Sequence, residues 1–240
     1  GKIVERRAVD LQAGDKLIKL TTPVVQGKSL LNKAYQNGFY SGDGCDVKGK
    51  SRVYLYGEKI LLSGLFPGKL SHTIQEGHEY FYVEGLEVKF FVPSANYSVN
   101  SRLQWLSGLL DSDGCLCLNG KSQTLQIASA ESGFLESVQL MLQTLGVQSK
   151  VVHARDAGEY LLPANDGSGE SKLYTCRKLS RLLVGGKGIH QLMSLGLQTY
   201  RLKLTDHTPN RDASGYVKVL SVVDDGRYDD TYCFTEPKQI

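Results

Sequence analysis

Nowhere among the 240 residues is there an apolar run long enough to cross a bilayer, which takes about 20 such residues. The first residues also lack the basic-then-apolar pattern of a signal peptide. Together these absences lead us to expect a soluble, intracellular protein. Cysteine is scarce. Cys45, Cys115, Cys117, Cys176 and Cys233 are an odd set without disulfide-framework spacing, and they suit a reducing compartment. Cys115 and Cys117 alternate with Leu116 and Leu118, so in a strand they share one face. A zinc site would need a second ligand pair at matching spacing, and none is present. Charge bias is slight. The net charge of +3 does not by itself imply nucleic acid. A hydrophobic content of 41% is ample for a sizeable core.

Two related stretches stand out. In Leu106-Ser107-Gly108-Leu109-Leu110-Asp111-Ser112-Asp113-Gly114, apolar residues recur at helical spacing, and Gly108 and Ser112 lie on one face. Small residues at that spacing admit a second backbone at close range. Gly114 is expected as a left-handed C-cap. Asp113 then falls on the last turn, where the helix dipole disfavours an anion unless a cation accompanies it. The upstream stretch Gln36-Asn37-Gly38-Phe39-Tyr40-Ser41-Gly42-Asp43-Gly44 has the same plan: small pair Gly38 and Gly42, acid Asp43, cap Gly44. If the two small faces pack together, Asp43 and Asp113 meet at the foot of the interface.

The downstream nonapeptide resembles, almost letter for letter, the signature of the LAGLIDADG homing endonucleases. The upstream copy is degenerate: Ser41 stands where the family's first Asp is usual, and Phe39 and Tyr40 where aliphatics are common. The resemblance covers roughly residues 31 to 200. It implies an α+β fold, a pseudo-two-fold pair of αββαββα subdomains (31–100 and 101–200) with saddle-like DNA-binding sheets. With both motif copies in one chain, a monomer is expected. The ends resemble intein blocks. Val9-Asp10-Leu11-Gln12-Ala13-Gly14-Asp15 is similar to the segment that follows the second conserved block of inteins, and residues 216–240 to the block that re-enters the splicing domain after the endonuclease. Segments 1–20 and 216–240 are therefore expected to form a small all-β remnant of an intein (Hint) splicing domain. The tail Tyr232-Cys233-Phe234-Thr235-Glu236-Pro237 is similar to inteins of ribonucleotide reductases. Inteins open on Cys or Ser and close on His-Asn. This chain runs from Gly1 to Ile240, so it is expected not to splice.

Period-two patterns and turn residues place strands over Val47–Tyr56, 70–84 with a turn at Glu76-Gly77, 115–119, 122–129, 147–155 and 170–176. Helices are expected over Leu31–Gly42, Glu58–Phe66, Asn100–Asp113, Glu131–Leu145 and Lys178–Val184, with a last one ending at Gly196. Pro163–Gly169 reads as a flexible loop.

Phosphodiester hydrolysis needs an in-line water and neutralised charge, which carboxylate-held divalent metal supplies. Asp43 and Asp113 suit Mg²⁺, which takes one or two carboxylates plus substrate oxygens; Mn²⁺ or Ca²⁺ would substitute for binding. The resemblance implies that the carbonyls of Gly42 and Ser112 assist. Lys187 and Lys89 are the candidate basic residues facing the scissile phosphate. Lys89 lies in Lys89-Phe90-Phe91-Val92-Pro93, similar to a Lys-x-Ile-Pro block of the family with the lysine displaced by one. Alternating strand residues are the candidates for contact with double-stranded DNA. These are Lys48, Lys50, Arg52, Tyr54 and Tyr56 in the first half. In the second they are Asn119, Lys121, Gln123, Gln126, Lys150, His153, Arg155, Lys172 and Arg177. The function expected is site-specific double-strand cleavage of DNA. The alternative is an inactive, maturase-like nucleic-acid-binding module.

Overall fold

The computed structural model describes residues 2–19, 22–67, 78–120, 122–164, 169–206 and 215–230. In chain order, strand β1 (Lys16–Ile18) precedes helix α1 (Ala34–Asp43), strands β2 (Gly44–Val47) and β3 (Lys50–Tyr56), a 3₁₀ segment (Gly57–Leu65) and β4 (His78–Tyr82). Helix α2 (Val99–Asp113) leads into β5 (Gly114–Asn119), β6 (Ser122–Ser129) and α3 (Ser132–Gln143). Then come β7 (Lys150–Arg155), β8 (Gly158–Pro163), β9 (Ser171–Cys176), β10 (Leu179–Gly185), α4 (Gly186–Ser194) and β11 (Tyr216–Lys218). The chain divides into two units, Gly1–Leu20 with Ala213–Ile240, and Thr21–Asp212.

The first unit is slight. β1 and β11 pair antiparallel, with Leu17 opposite Val217. Arg6 donates to Asp15 at 2.8 Å, and Lys16 lies over the Tyr216 ring. None of its described residues is buried. The last ten residues of the segment expected to complete the all-β remnant, 231–240, lie outside the described residues.

The larger unit is organised by α1 against α2. Both helices form where expected, and α2 starts on a Ser98 side chain that accepts from the Ser101 amide at 3.1 Å, a cap worth about 1 kcal/mol. Trp105, Leu106, Leu109 and Leu110 bury one side of α2 in a core shared with α3, α4 and the second sheet. Tyr35, Phe39 and Tyr40 of α1 join Val53, Leu55, Phe66 and Phe81 in the first half's core. Each such fully buried side chain contributes about 1.5–3 kcal/mol.

Each helix runs directly into a hairpin. The first sheet has the order β2-β3-β4, the second β5-β6-β10-β7, with a separate β8-β9 ribbon. The hairpin turns fall at Lys48-Gly49 and at Gly120, all with positive φ. Three expectations need correction. Residues 179–185 are the strand β10, not a helix: Ser180, Leu182 and Val184 are buried alternately, although the leucine spacing also fits a helix. An unforeseen strand, β8, pairs with β9 as an inserted hairpin, so β7 pairs with β10 instead. Finally, Gly44 and Gly114 are not left-handed caps. Their φ values are -105° and -71°, within the extended region. Glycine is needed there because a Cβ would meet the carbonyl oxygens of Tyr40 at 2.3 Å and Leu110 at 2.5 Å.

With β10 as its fourth strand, the second half follows the order αββαββα, with one hairpin added. Among the described residues, the first half stops at α-β-β-3₁₀-β. The turn expected at Glu76-Gly77 lies outside them.

Candidate active site at the paired helix ends

The small residues let the helices touch backbone to backbone. A Cβ on Gly38 would stand 1.8 Å from the Trp105 carbonyl oxygen, and one on Gly108 would stand 1.9 Å from that of Tyr35. At the bottom of the interface, a Cβ on Gly42 would lie 2.1 Å from Ser112 Oγ and 3.0 Å from Asp113 Cγ. Asp43 and Asp113 therefore come to the same place from two helices. Asp113 keeps a solvent-exposed side. The protein packed around it raises its pKa, and the Asp43 charge raises it further; Lys59, Lys89 and Arg201 pull the other way.

Cations answer the dipole at both helix ends. Lys89 Nζ donates to the carbonyl of Gly42 at 2.9 Å and to those of Tyr40 and Gly44. Burial lowers its pKa, against the pull of Asp113 and Asp43. Arg201 does the same for α2. Its guanidinium donates to the carbonyls of Asp111 at 2.6 Å, Leu110 at 2.9 Å and Gly114 at 2.6 Å. Relative to the two acids, Tyr40 matches Leu110 and Gly44 matches Gly114, so Lys89 and Arg201 are pseudo-equivalent caps. Asp111, fully buried, anchors the Arg201 segment. It accepts from the amides of Tyr200 and Arg201, each at 2.9 Å, and from the Tyr35 hydroxyl at 3.0 Å. Its counterpart Ser41 donates to Asn37 O within its own helix.

Of the four candidate catalytic residues, Asp43, Asp113 and Lys89 are brought together. Lys187 is exposed on the first turn of α4 and is not among the charges acting on Asp113. Arg201 and Lys59, which donates to Asp43 Oδ2, were missed. Neither lies in a motif, and only long-range folding brings them in. Gly42 offers its carbonyl to Lys89, and the Ser112 hydroxyl donates to Leu109 O at 2.9 Å.

On the first sheet, Val53 and Leu55 face the core, while Arg52, Tyr54 and Tyr56 face out beside Tyr80 and Tyr82. The Arg52 guanidinium lies 4.8 Å from the Tyr80 ring centre and 4.9 Å from that of Tyr82, and donates to the hydroxyls of Tyr54 and Tyr82. Lys48 lies in the exposed β2–β3 turn and Lys50 just beyond it. On the second sheet, Gln126 faces out between Cys115 and Leu183. Gln123 does not. Three positions from Gln126, it falls on the opposite face, is buried, and bonds to Thr205. Lys150 is exposed on β7, and Arg181 on β10 is a further outward cation that was missed. Asn119 is exposed beside the β5–β6 turn; Lys121 lies outside the described residues. The remaining candidates gather around β7 and the β8–β9 ribbon. His153 pairs with Asp156 at 3.2 Å, Arg155 stacks on Tyr160, and Arg177 pairs with Glu131 at 2.7 Å. Lys172 is exposed on β9.

Comparison with known proteins bears on the second half first. Residues 100–193 match the LAGLIDADG-like domain family. Over 236 residues the chain is 37% identical to the ribonucleoside-diphosphate reductase large subunit of Invertebrate iridescent virus 6, covering 96% of this chain and 24% of that protein. It is 25% identical over 289 residues to the reductase NrdEB subunit alpha of Bacillus subtilis, covering 98% of this chain and 26% of that one. The chain thus spans about a quarter of the length of these relatives. Among solved structures, the N-terminal LAGLIDADG domain of DUF199/WhiA aligns with a TM-score of 0.45 at 16% identity, covering 69% of this chain and 82% of that one. The homing endonuclease I-DmoI in complex with DNA and Ca aligns at 0.41 and 15% identity, covering 69% and 90% respectively. No helix among the described residues is long and apolar enough to cross a membrane.

Proposed function

We propose that this chain is a site-specific, divalent-metal-dependent endonuclease that cuts both strands of DNA, acting as a monomer and derived from an intein of a ribonucleotide reductase. The observation that carries the reading is the convergence of Asp43 and Asp113 from equivalent ends of two closely packed helices. One acid per half matches one acid per strand of a duplex. The LAGLIDADG-like match over 100–193 supports the same role for the second half. Similarity to a reductase subunit along 96% of this chain supports an origin in a reductase.

The donor set fits a hard cation. Two carboxylates and helix-end carbonyls are all oxygen; burial raises the Asp113 pKa, and the repulsion from Asp43 that adds to it is relieved when a cation joins them. Asp43 and Asp113 would hold a divalent ion, which would supply activation of a water and charge neutralisation at the phosphate. The chain's own residues do the rest. Gly38 and Gly108 set the spacing of the acids. Lys89 and Arg201 hold the helix-end carbonyls in place. Arg52, Tyr54, Gln126 and Arg181 face outward, where a duplex can lie across the strands.

Incubating the protein with Mg²⁺ and a library of randomised duplexes, then sequencing the cut ends, tests the proposal. A single long motif that is lost with EDTA is the expected result. DNA retarded in a salt-dependent way without cut ends would favour the non-cleaving module.

A further inference from the structure

The surroundings of the two acids are unequal. Asp43 Oδ2 accepts from the Lys59 ammonium, and both side chains are largely buried, 16% and 20% exposed. Asp113 makes no ion pair among the described residues. The strand register explains the difference. Val53 stands opposite Gly44 as Ile127 stands opposite Gly114. Six residues beyond Val53 is Lys59; six beyond Ile127 is Gly133, which has no side chain to offer. After β3 the chain enters the 3₁₀ segment that brings Lys59 to Asp43. After β6 it enters α3 instead.

We propose that Lys59 is a built-in counter-charge for the first acid, so that the two half-sites take up divalent metal unequally. This rests on the metal-dependent reading above. An ammonium and a hard cation compete for the same carboxylate oxygens. In the DNA-free protein the Asp113 half-site loads first. The Asp43 half-site loads when Lys59 is drawn off, and an incoming phosphate offers it another anion.

The test is Mn²⁺ titration of the DNA-free chain, with free ion counted by electron paramagnetic resonance. The wild type is expected to take one ion per chain under conditions where Lys59→Gln takes two, the second bound roughly tenfold more tightly than in the wild type. Lys59→Arg, which keeps the cation, should behave as wild type. Asp113→Asn should remove the single wild-type ion but leave one in the Lys59→Gln background. Equal stoichiometry and affinity in the wild type and Lys59→Gln would overturn the proposal. Absence of Mn²⁺ uptake by every DNA-free variant would overturn this inference; absence that persists when duplex DNA is present would overturn the metal-dependent reading itself.

Discussion

Replacing Gly108 with alanine should unfold the larger unit more easily, against what helix propensity alone predicts. The added Cβ would stand 1.9 Å from the Tyr35 carbonyl oxygen and 2.7 Å from the Phe39 amide nitrogen. Both are backbone atoms, so no side chain can rotate aside. The helices would have to part by about 1.5 Å, and overpacking of this kind costs about 3 kcal/mol. The intrinsic helix gain of alanine over glycine returns about 1 kcal/mol. A net loss of about 2 kcal/mol lowers the urea midpoint by about 1 M, taking a slope of about 2 kcal/mol/M. Gly133→Ala is the control. It lies in α3 with no atom within 4 Å of its added Cβ, so the midpoint should rise by up to about 0.5 M. If Gly108→Ala unfolds at or above the wild-type midpoint, the helices are not in backbone contact and the reasoning fails.

Other consequences are open to measurement. Asp113 has its pKa raised in the fold, so its ionised form opposes folding: its contribution is neutral below the ordinary carboxylate pKa and turns unfavourable as pH rises through it. Asp113→Asn should therefore raise the urea midpoint near about pH 7 and leave it little changed near about pH 3, where the acid is protonated in both states. Lys89→Met removes the cap on three carbonyls at the end of α1 and should cost about 1–2 kcal/mol, read by the same melts. Arg52→Ala should weaken duplex binding and reduce the slope of log affinity against log salt by about 0.9 if the guanidinium meets one phosphate. Gln123→Ala, by contrast, should lower the midpoint and leave that slope unchanged, because its amide is spent on Thr205 inside the protein.

The helix pair was legible because its information is local and periodic. Gly38, Gly42, Gly108 and Ser112 recur at helical spacing, each copy ends on Asp-Gly, and close packing at those residues followed. The capping geometry was not legible. Glycine before a strand and glycine in a left-handed cap look alike, and the requirement at Gly44 and Gly114 came from a clash with a carbonyl four residues back. β10 was misread because Leu179, Leu182 and Leu183 fit a helical stripe, while the alternation of Ser180, Leu182 and Val184 is visible only once its sheet partners are known. Gln123 could have been excluded from the period-two rule alone, since residues three apart on a strand face opposite ways. Arg201 and Lys59 could not have been singled out. Arg201 lies 87 residues along the chain from Gly114, whose carbonyl it holds. Lys59 sits in an irregular segment whose path depends on the hairpin before it.

The central claim is that both acids serve one cleavage reaction. The most direct measurement takes an end-labelled duplex carrying the selected site and compares the wild type with Asp43→Asn and Asp113→Asn in Mg²⁺. The account predicts that each substitution abolishes double-strand breaks while leaving duplex retardation in place. Double-strand cutting that survives Asp113→Asn would contradict it.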